Sequence, residues 1–254
     1  MTGAAKHTVL KLQEEIGCAC AAYHHRHVRG LKARRIQCDE IWQLAGAKQK
    51  NTTSEQKAAG WCDAWTWTAI DAETRLCISY PVGGRDTGRA TDFAFDIRER
   101  VVGRPQITAD AHKPCPAAIE MASGKDVDYA QMHEIYGASG EPETRYSPAK
   151  CIGCDMKTVI ESPDYEHVTT SYVERQNLAM RMQMRRFTRL TNGFSKKIED
   201  HGHAVALHFM YYNLVRAHMT LRVTPAMEAG IAHHVWSMEE LVSLLDTKAK
   251  EKAA

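Results

Sequence analysis

RRIQCDEIW at residues 34–42 and CDAWTWTAIDAETRLCISYPV at 62–82 decide how this chain folds. In the first, Ile36 and Cys38 alternate with Gln37 and Asp39, the period of two that marks a strand. In the second, Trp, Thr and Ile crowd into 64–71, residue types that suit a pleated surface. RLCISYPV at 75–82 follows after a short link through Glu73 and reads as the hairpin partner. The polar run GAKQKNTTSEQKAAG at 46–60 separates these strands as a loop. Downstream, Phe93, Ile97 and Val101 recur every four residues through a helix over 88–102, and QITAD at 106–110 is a short strand.

The flanks are helical. Val9, Leu12, Ile16 and Ala19 place a helix over 4–23, and Pro114 or Pro116 opens a short helix through Met121. Residues 123–169 carry Gly124, Gly137, Gly140, Pro142, Pro148, Gly153 and Pro163 with little periodicity, which predicts a long insertion. A helix is predicted over about 172–190 and another, apolar on most faces, over 201–218. Thr224-Pro225 opens a short helix, and Ser237 with Glu240 forms a capping box for the last. Strand, strand, strand, helix, strand, then helices defines an α/β protein with a mixed sheet. The ribonuclease-H-like fold is one candidate among several with that order.

Composition narrows the class. Of 254 residues, 44% are hydrophobic and 25% charged, which suits a globular protein and excludes a chain disordered throughout. No apolar run reaches the roughly 18 residues of a membrane span. The start has no secretory-signal pattern, and eight scattered cysteines read as reduced thiols, so a cytoplasmic location is expected. A formal net charge of +2 hides an uneven distribution. Residues 1–38 hold seven bases and two acids, and 172–222 hold nine bases and three acids. Between them, 39–171 hold 14 bases and 21 acids. Basic clusters suit a polyanion such as nucleic acid, and they suit equally a solvated helix face.

In a ribonuclease-H-like order, an acid lies at the centre of the first strand, another at the end of the fourth, and a third on a later helix. Asp39, Asp110 and Glu174 hold those places. In-line breaking and joining of a phosphodiester needs an activated nucleophile and a stabilised leaving oxygen, which two Mg²⁺ ions about 3.5–4 Å apart supply. Mg²⁺ takes oxygen ligands and keeps waters, so a few convergent carboxylates suffice. Plainer roles stay open. Asp39 and Glu40 suit an edge strand facing water, Asp110 suits a strand-ending turn, and Glu174 suits a capping box with Ser171.

QCDEIW at 37–42, CDAWTWTAID at 62–71, VGGRD at 82–86, SYVERQN at 171–177, MRRFTRLTN at 184–192 and RVTPAMEAG at 222–230 resemble transposases of the insertion-sequence-one type. These are DDE-class bacterial enzymes with a ribonuclease-H-like core, and the resemblance covers roughly residues 8–246. It implies that Asp39, Asp110 and Glu174 are the catalytic and metal-holding triad. It implies Mg²⁺ or Mn²⁺, two ions per site, and double-stranded DNA as partner, both terminal inverted repeats and target. It also implies a homo-oligomer acting in a paired-end complex. The alternatives are an inactive DNA-binding remnant and a nuclease without strand transfer.

The helix from 172 suits that implication. Glu174, Asn177 or Leu178, Arg181 and Arg185 recur at spacings of three and four, with Arg189 extending the stripe, so an acid at the helix start is followed by arginines for the phosphate backbone. Lys196, Lys197 and Arg216 join them as expected DNA contacts. Asn177, Asn213 and His218 are expected in support, the last two within YNLVRAH, a segment similar to one in related recombinases. Met180, Met184 and Phe187 read as a packed core face. The resemblance divides the chain into 1–33, the remnant of a truncated helix-turn-helix, a catalytic core over 34–222, and C-terminal helices over 223–254. Ala111 and Cys115 stand where the family shows a glycine and an aromatic. Cys18-Ala19-Cys20 and Cys151-Ile152-Gly153-Cys154 each offer two thiolates, a weak signal for a four-ligand zinc site.

Overall fold

A computed structural model describes residues 3–58, 61–110, 115–137, 151–188 and 193–253. Its centre is a mixed sheet in which strand β1 (Arg35–Ala45) pairs antiparallel with β2 (Cys62–Asp71) on one side. On the other side β1 pairs parallel with β5 (Gln106–Asp110). β3 (Cys77–Ser79) borders β2, and β5 is followed outward by β6 (Asp128–Tyr136) and β7 (Cys151–Ile160). A two-residue strand, β4 (Val82–Gly83), returns to β2. The seven strands run in the order β3-β2-β1-β5-β6-β7, with β4 off that path.

Three expectations from the sequence change here. Residues 75–82 carry two short strands rather than one, both antiparallel to β2, because Pro81 has no N–H to complete the ladder between them and a β-bulge shifts the β2–β3 register at Ala69/Ile70. The loop at 46–60 holds a 3-10 turn at Gln49–Asn51 and a short helix α2 (Ser54–Ala58). Within 123–169, β6 joins β5 in parallel and β7 joins β6 antiparallel, so much of the stretch extends the sheet. β7 is almost entirely exposed, which is why no alternation of apolar residues betrays it.

Helix α1 (Lys6–His27) precedes the sheet, and α3 (Thr87–Arg100) and α4 (Cys115–Ser123) follow β4 and β5. Ile36, Cys38, Trp67 and Ile78 pack with Phe93, Ile97, Ala118 and Ile119 in one core that Ile16 and Cys20 of α1 also enter. The opposite sheet face carries α5 (Ser171–Gln183) and α6 (Ile198–Met210). There Ile41 and Cys77 pack with Met180, Phe187, Val205 and Phe209, which includes two members of the expected methionine–phenylalanine core stripe. α1 crosses α6 at Gly17, where a Cβ would stand 2.5 Å from His203 Cβ, so only glycine permits the approach.

α5 is shorter than its periodicity predicts. It stops at Gln183, Met184 is extended (φ −108°, ψ 103°), and Arg185–Phe187 form a separate 3-10 turn. Phe187 turns inward to the core, which breaks the arginine stripe after Arg181. α6 likewise ends early and continues as a π-helical turn at Tyr211–Val215. α7 (Pro225–Glu228) has Thr224 as its cap, its hydroxyl accepting from Met227 N–H at 3.2 Å. α8 (Met238–Ala253) begins with the expected capping box, Glu240 N–H to Ser237 Oγ at 3.1 Å and Ser237 N–H to Glu240 Oε2 at 2.7 Å.

Candidate active site

β1 and β5 run parallel only as far as the pair Cys38↔Ala109. Past it β1 continues and β5 ends at Asp110, so a crevice opens at the carboxyl end of the parallel pair. β2 continues the sheet on one side and β6 on the other, and in open α/β sheets such a switch point is where ligands bind. Asp39, Glu40 and Asp110 meet there, one carboxylate oxygen of each lying within 4.8 Å of the others. Neighbouring strand residues point to opposite faces. Asp110 at the strand end reaches both, which is how consecutive acids come to share one site. β1 is central in the sheet, so the edge-strand role open to Asp39 and Glu40 does not apply.

Glu174, in the first turn of α5, lies outside this group of three but near enough to act electrostatically on Asp39. It makes no capping box. The helix begins after Thr170, whose hydroxyl donates to Glu174 Oε1. The free N–H groups of Tyr172 and Val173 instead donate to Gln37 Oε1 on β1, at 2.7 and 3.2 Å. A side chain on the central strand thus caps the helix and ties the third acid to the strand that carries the first. One turn on, Asn177 Nδ2 donates to Asp39 Oδ2 at 2.7 Å.

Burial and neighbouring charge raise the pKa of two of these acids. Burial first and Asp110 second push Asp39 up to about 6, against hydrogen bonds from Glu40 N–H and Asn177. Burial and Asp110 push Glu40 up to about 7, against the charge of Arg85. Arg85 lies on the turn between β4 and α3. Its Nη2 is 2.9 Å from Glu40 Oε2 and 3.8 Å from Asp110 Oδ2, and its guanidinium lies over the Trp65 ring at 4.6 Å. Glu40 is nearly enclosed, its side chain 4% exposed, whereas Asp110 is 44% exposed and opens the site to solvent. A cluster of hard oxygen donors with repelling charges suits a divalent cation such as Mg²⁺.

The other expected residues fall elsewhere. Arg181 lies exposed on the Glu174 side of α5, about 10 Å further along the axis at 1.5 Å per residue. Arg185, Lys196 and Lys197 line a groove of about 870 Å³ beside Lys6, Lys11 and Arg186. Arg189 and Ala111 lie outside the described residues. Asn213 is buried against β3, its amide bonded both ways to the Cys77 backbone at 3.0 Å. Arg216 and His218 line a different cavity. Cys151 and Cys154 are free and exposed on β7. Among the described residues, the acidic trio is the only metal-competent group of three or more such side chains.

Glu40, Arg85, Gln37 and Thr170 are additions that sequence reasoning missed. VGGRD pointed to Arg85 without giving it a role. Strand alternation pointed Glu40 away from Asp39, and only the ending of β5 reverses that. No family model matches this chain, and no curated protein matches it.

Proposed function

We propose that this protein is a metal-dependent DNA transposase of the DDE class with a ribonuclease-H-like core. The observation that carries the proposal is the meeting of Asp39, Glu40 and Asp110, the first and last 71 residues apart in sequence, at the end of the parallel strand pair, with Glu174 near enough to act electrostatically on Asp39. The meander β1–β2–β3, the helix α3 and a strand β5 returning beside β1 support the fold assignment.

In this reading Asp39 and Asp110 hold Mg²⁺ or Mn²⁺, Glu174 completes the set, and Glu40 adds a fourth carboxylate. The bound ions would activate the attacking hydroxyl and stabilise the leaving oxygen of a phosphodiester. Gln37, Thr170 and Asn177 keep the acids in place. Arg85 neutralises Glu40 and Asp110 and stands where phosphate oxygens would approach. Arg181 and the basic groove with Arg185, Lys196 and Lys197 serve as the track for the duplex. Terminal inverted repeats and target DNA are the partners, held by a homo-oligomer that pairs two ends.

The test is cleavage and strand transfer on labelled DNA carrying the repeats that flank the gene, with Mg²⁺ or Mn²⁺. Metal-dependent nicking and joining by the natural chain, absent from Asp39→Asn and Asp110→Asn, is the expected outcome. Retained DNA binding without products from any of the three would make the chain an inactive DNA-binding protein. Cleavage of unrelated duplex without joined products would make it a nuclease.

A further inference from the structure

α5 carries a second site on its other side. Glu174 and Asn177 face Asp39, whereas Arg175, Gln176 and Ala179, turned away from them at 100° per residue, line a separate cavity of about 500 Å³. Arg75 and Arg216 also line it. Its charged side chains are thus three arginines, with no carboxylate in the lining. None of the three pairs with a carboxylate among the described residues.

Arg75 is held there against its own preference. It has φ 62°, a left-handed conformation that crowds the Cβ of a non-glycine residue. The loop around it enforces this. Asp71 accepts from Thr74 Oγ1 at 2.7 Å and from Glu73 N–H at 3.1 Å. Tyr212 Oη donates to the Arg75 carbonyl at 3.0 Å. The Arg75 guanidinium carbon lies over the Tyr172 ring, 3.3 Å from the centroid. Its Nη1 is buried with no hydrogen-bond partner, and so is Nδ1 of His218 in the same lining. A buried guanidinium N–H without an acceptor is rare, and three arginines that face one cavity without a carboxylate call for an anion with several acceptor oxygens.

We propose that the cavity between α5 and the turn after α6 is a phosphate-binding pocket in which Arg75, Arg175 and Arg216 hold a phosphate group. Phosphate supplies several acceptor oxygens at once, and guanidinium groups match it in fork geometry. It comes either from a nucleic-acid backbone or from a free phosphate compound. The pocket lies about one helix diameter, 10–12 Å, from the acids and stands apart from the cleavage reading.

The test uses the full chain in EDTA, so that no metal-dependent step enters. Inorganic pyrophosphate is titrated by calorimetry, and a labelled duplex by fluorescence anisotropy across a salt series. The variants are Arg216→Gln, Arg75→Gln and the conservative Arg216→Lys, each checked for an unchanged melting profile. The natural chain binds pyrophosphate, the Gln variants weaken it about tenfold or more, and Arg216→Lys restores part of the loss. If duplex affinity falls with it and the slope of log K on log salt drops by about 0.9 per lost contact, the phosphate belongs to nucleic acid. If only pyrophosphate is affected, the source is a free phosphate compound. Absence of pyrophosphate binding, or folded Gln variants that bind it like the natural chain, overturns the pocket. Asp39→Asn binds pyrophosphate normally, so cleavage and the pocket fail independently.

Discussion

Asn177 makes one short contact that tunes Asp39. Its amide donates to the Asp39 carboxylate and opposes the burial and Asp110 repulsion that lift the pKa of that group to about 6. A hydrogen bond to the charged form favours that form, so its removal raises the pKa further. Asn177→Ala is expected to move the Asp39 titration upward in carboxyl NMR and to weaken Mg²⁺ binding at pH 7, with less effect at pH 8.5. An unmoved titration would show that the contact does not tune Asp39. At this scale the sequence was legible for Asp39, Asp110, Glu174 and Asn177, whose placement followed from strand centre, strand end and helix spacing. Glu40 was not, because adjacency along a strand means opposite faces until a neighbouring strand stops short. Asn213 was expected in support of the site and instead bonds the β3 backbone, since the π-helical turn carrying it packs there.

Elements were more legible where residue type or apolar spacing marks them. β1, β2, α3 and β5 came within a few residues of their expected bounds, the strands through their β-branched and aromatic residues and α3 through its apolar stripe. β7 did not, since an exposed strand paired on one edge has no such pattern. α5 stopped early because Phe187 is drawn into the second core, a tertiary effect that helical spacing does not register. The α1–α6 crossing belongs to this scale too. Gly17→Ala places a methyl against the His203 backbone at 2.7 Å, and backbone cannot turn aside as a side-chain tip can. Overpacking of this kind costs about 1–3 kcal/mol. The chemical-denaturation midpoint is expected to fall accordingly, and an unchanged midpoint would mean that α1 shifts freely on α6.

The whole molecule carries two opposed pH dependences. Burial is the largest cause holding His24 and His201 down to about 3 and His208 to about 4. Their folded pKa lies below the unfolded value near 6.5, so the stability they contribute is present above that pH and lost as pH falls towards 4, by up to about 1.4 kcal/mol per pH unit each. Asp39 and Glu40 are raised, so their contribution is present below about pH 4 and lost as pH rises through 6 and 7. The metal-free protein is therefore expected to melt highest near about pH 6, and saturating Mg²⁺ to remove the decline on the alkaline side. A melting profile still rising through pH 8 without metal would contradict the raised carboxylates. The amino-acid sequence by itself determined the strand and helix order, the mixed α/β class and the basic flanks, because periodicity and local charge are properties of short segments. Only the tertiary structure decided that Glu40 and Arg85 join the acids, that Gln37 caps the helix of Glu174, and that three arginines from separate segments line one cavity. Those meetings depend on where a strand ends and how helices cross a sheet, which no local pattern encodes.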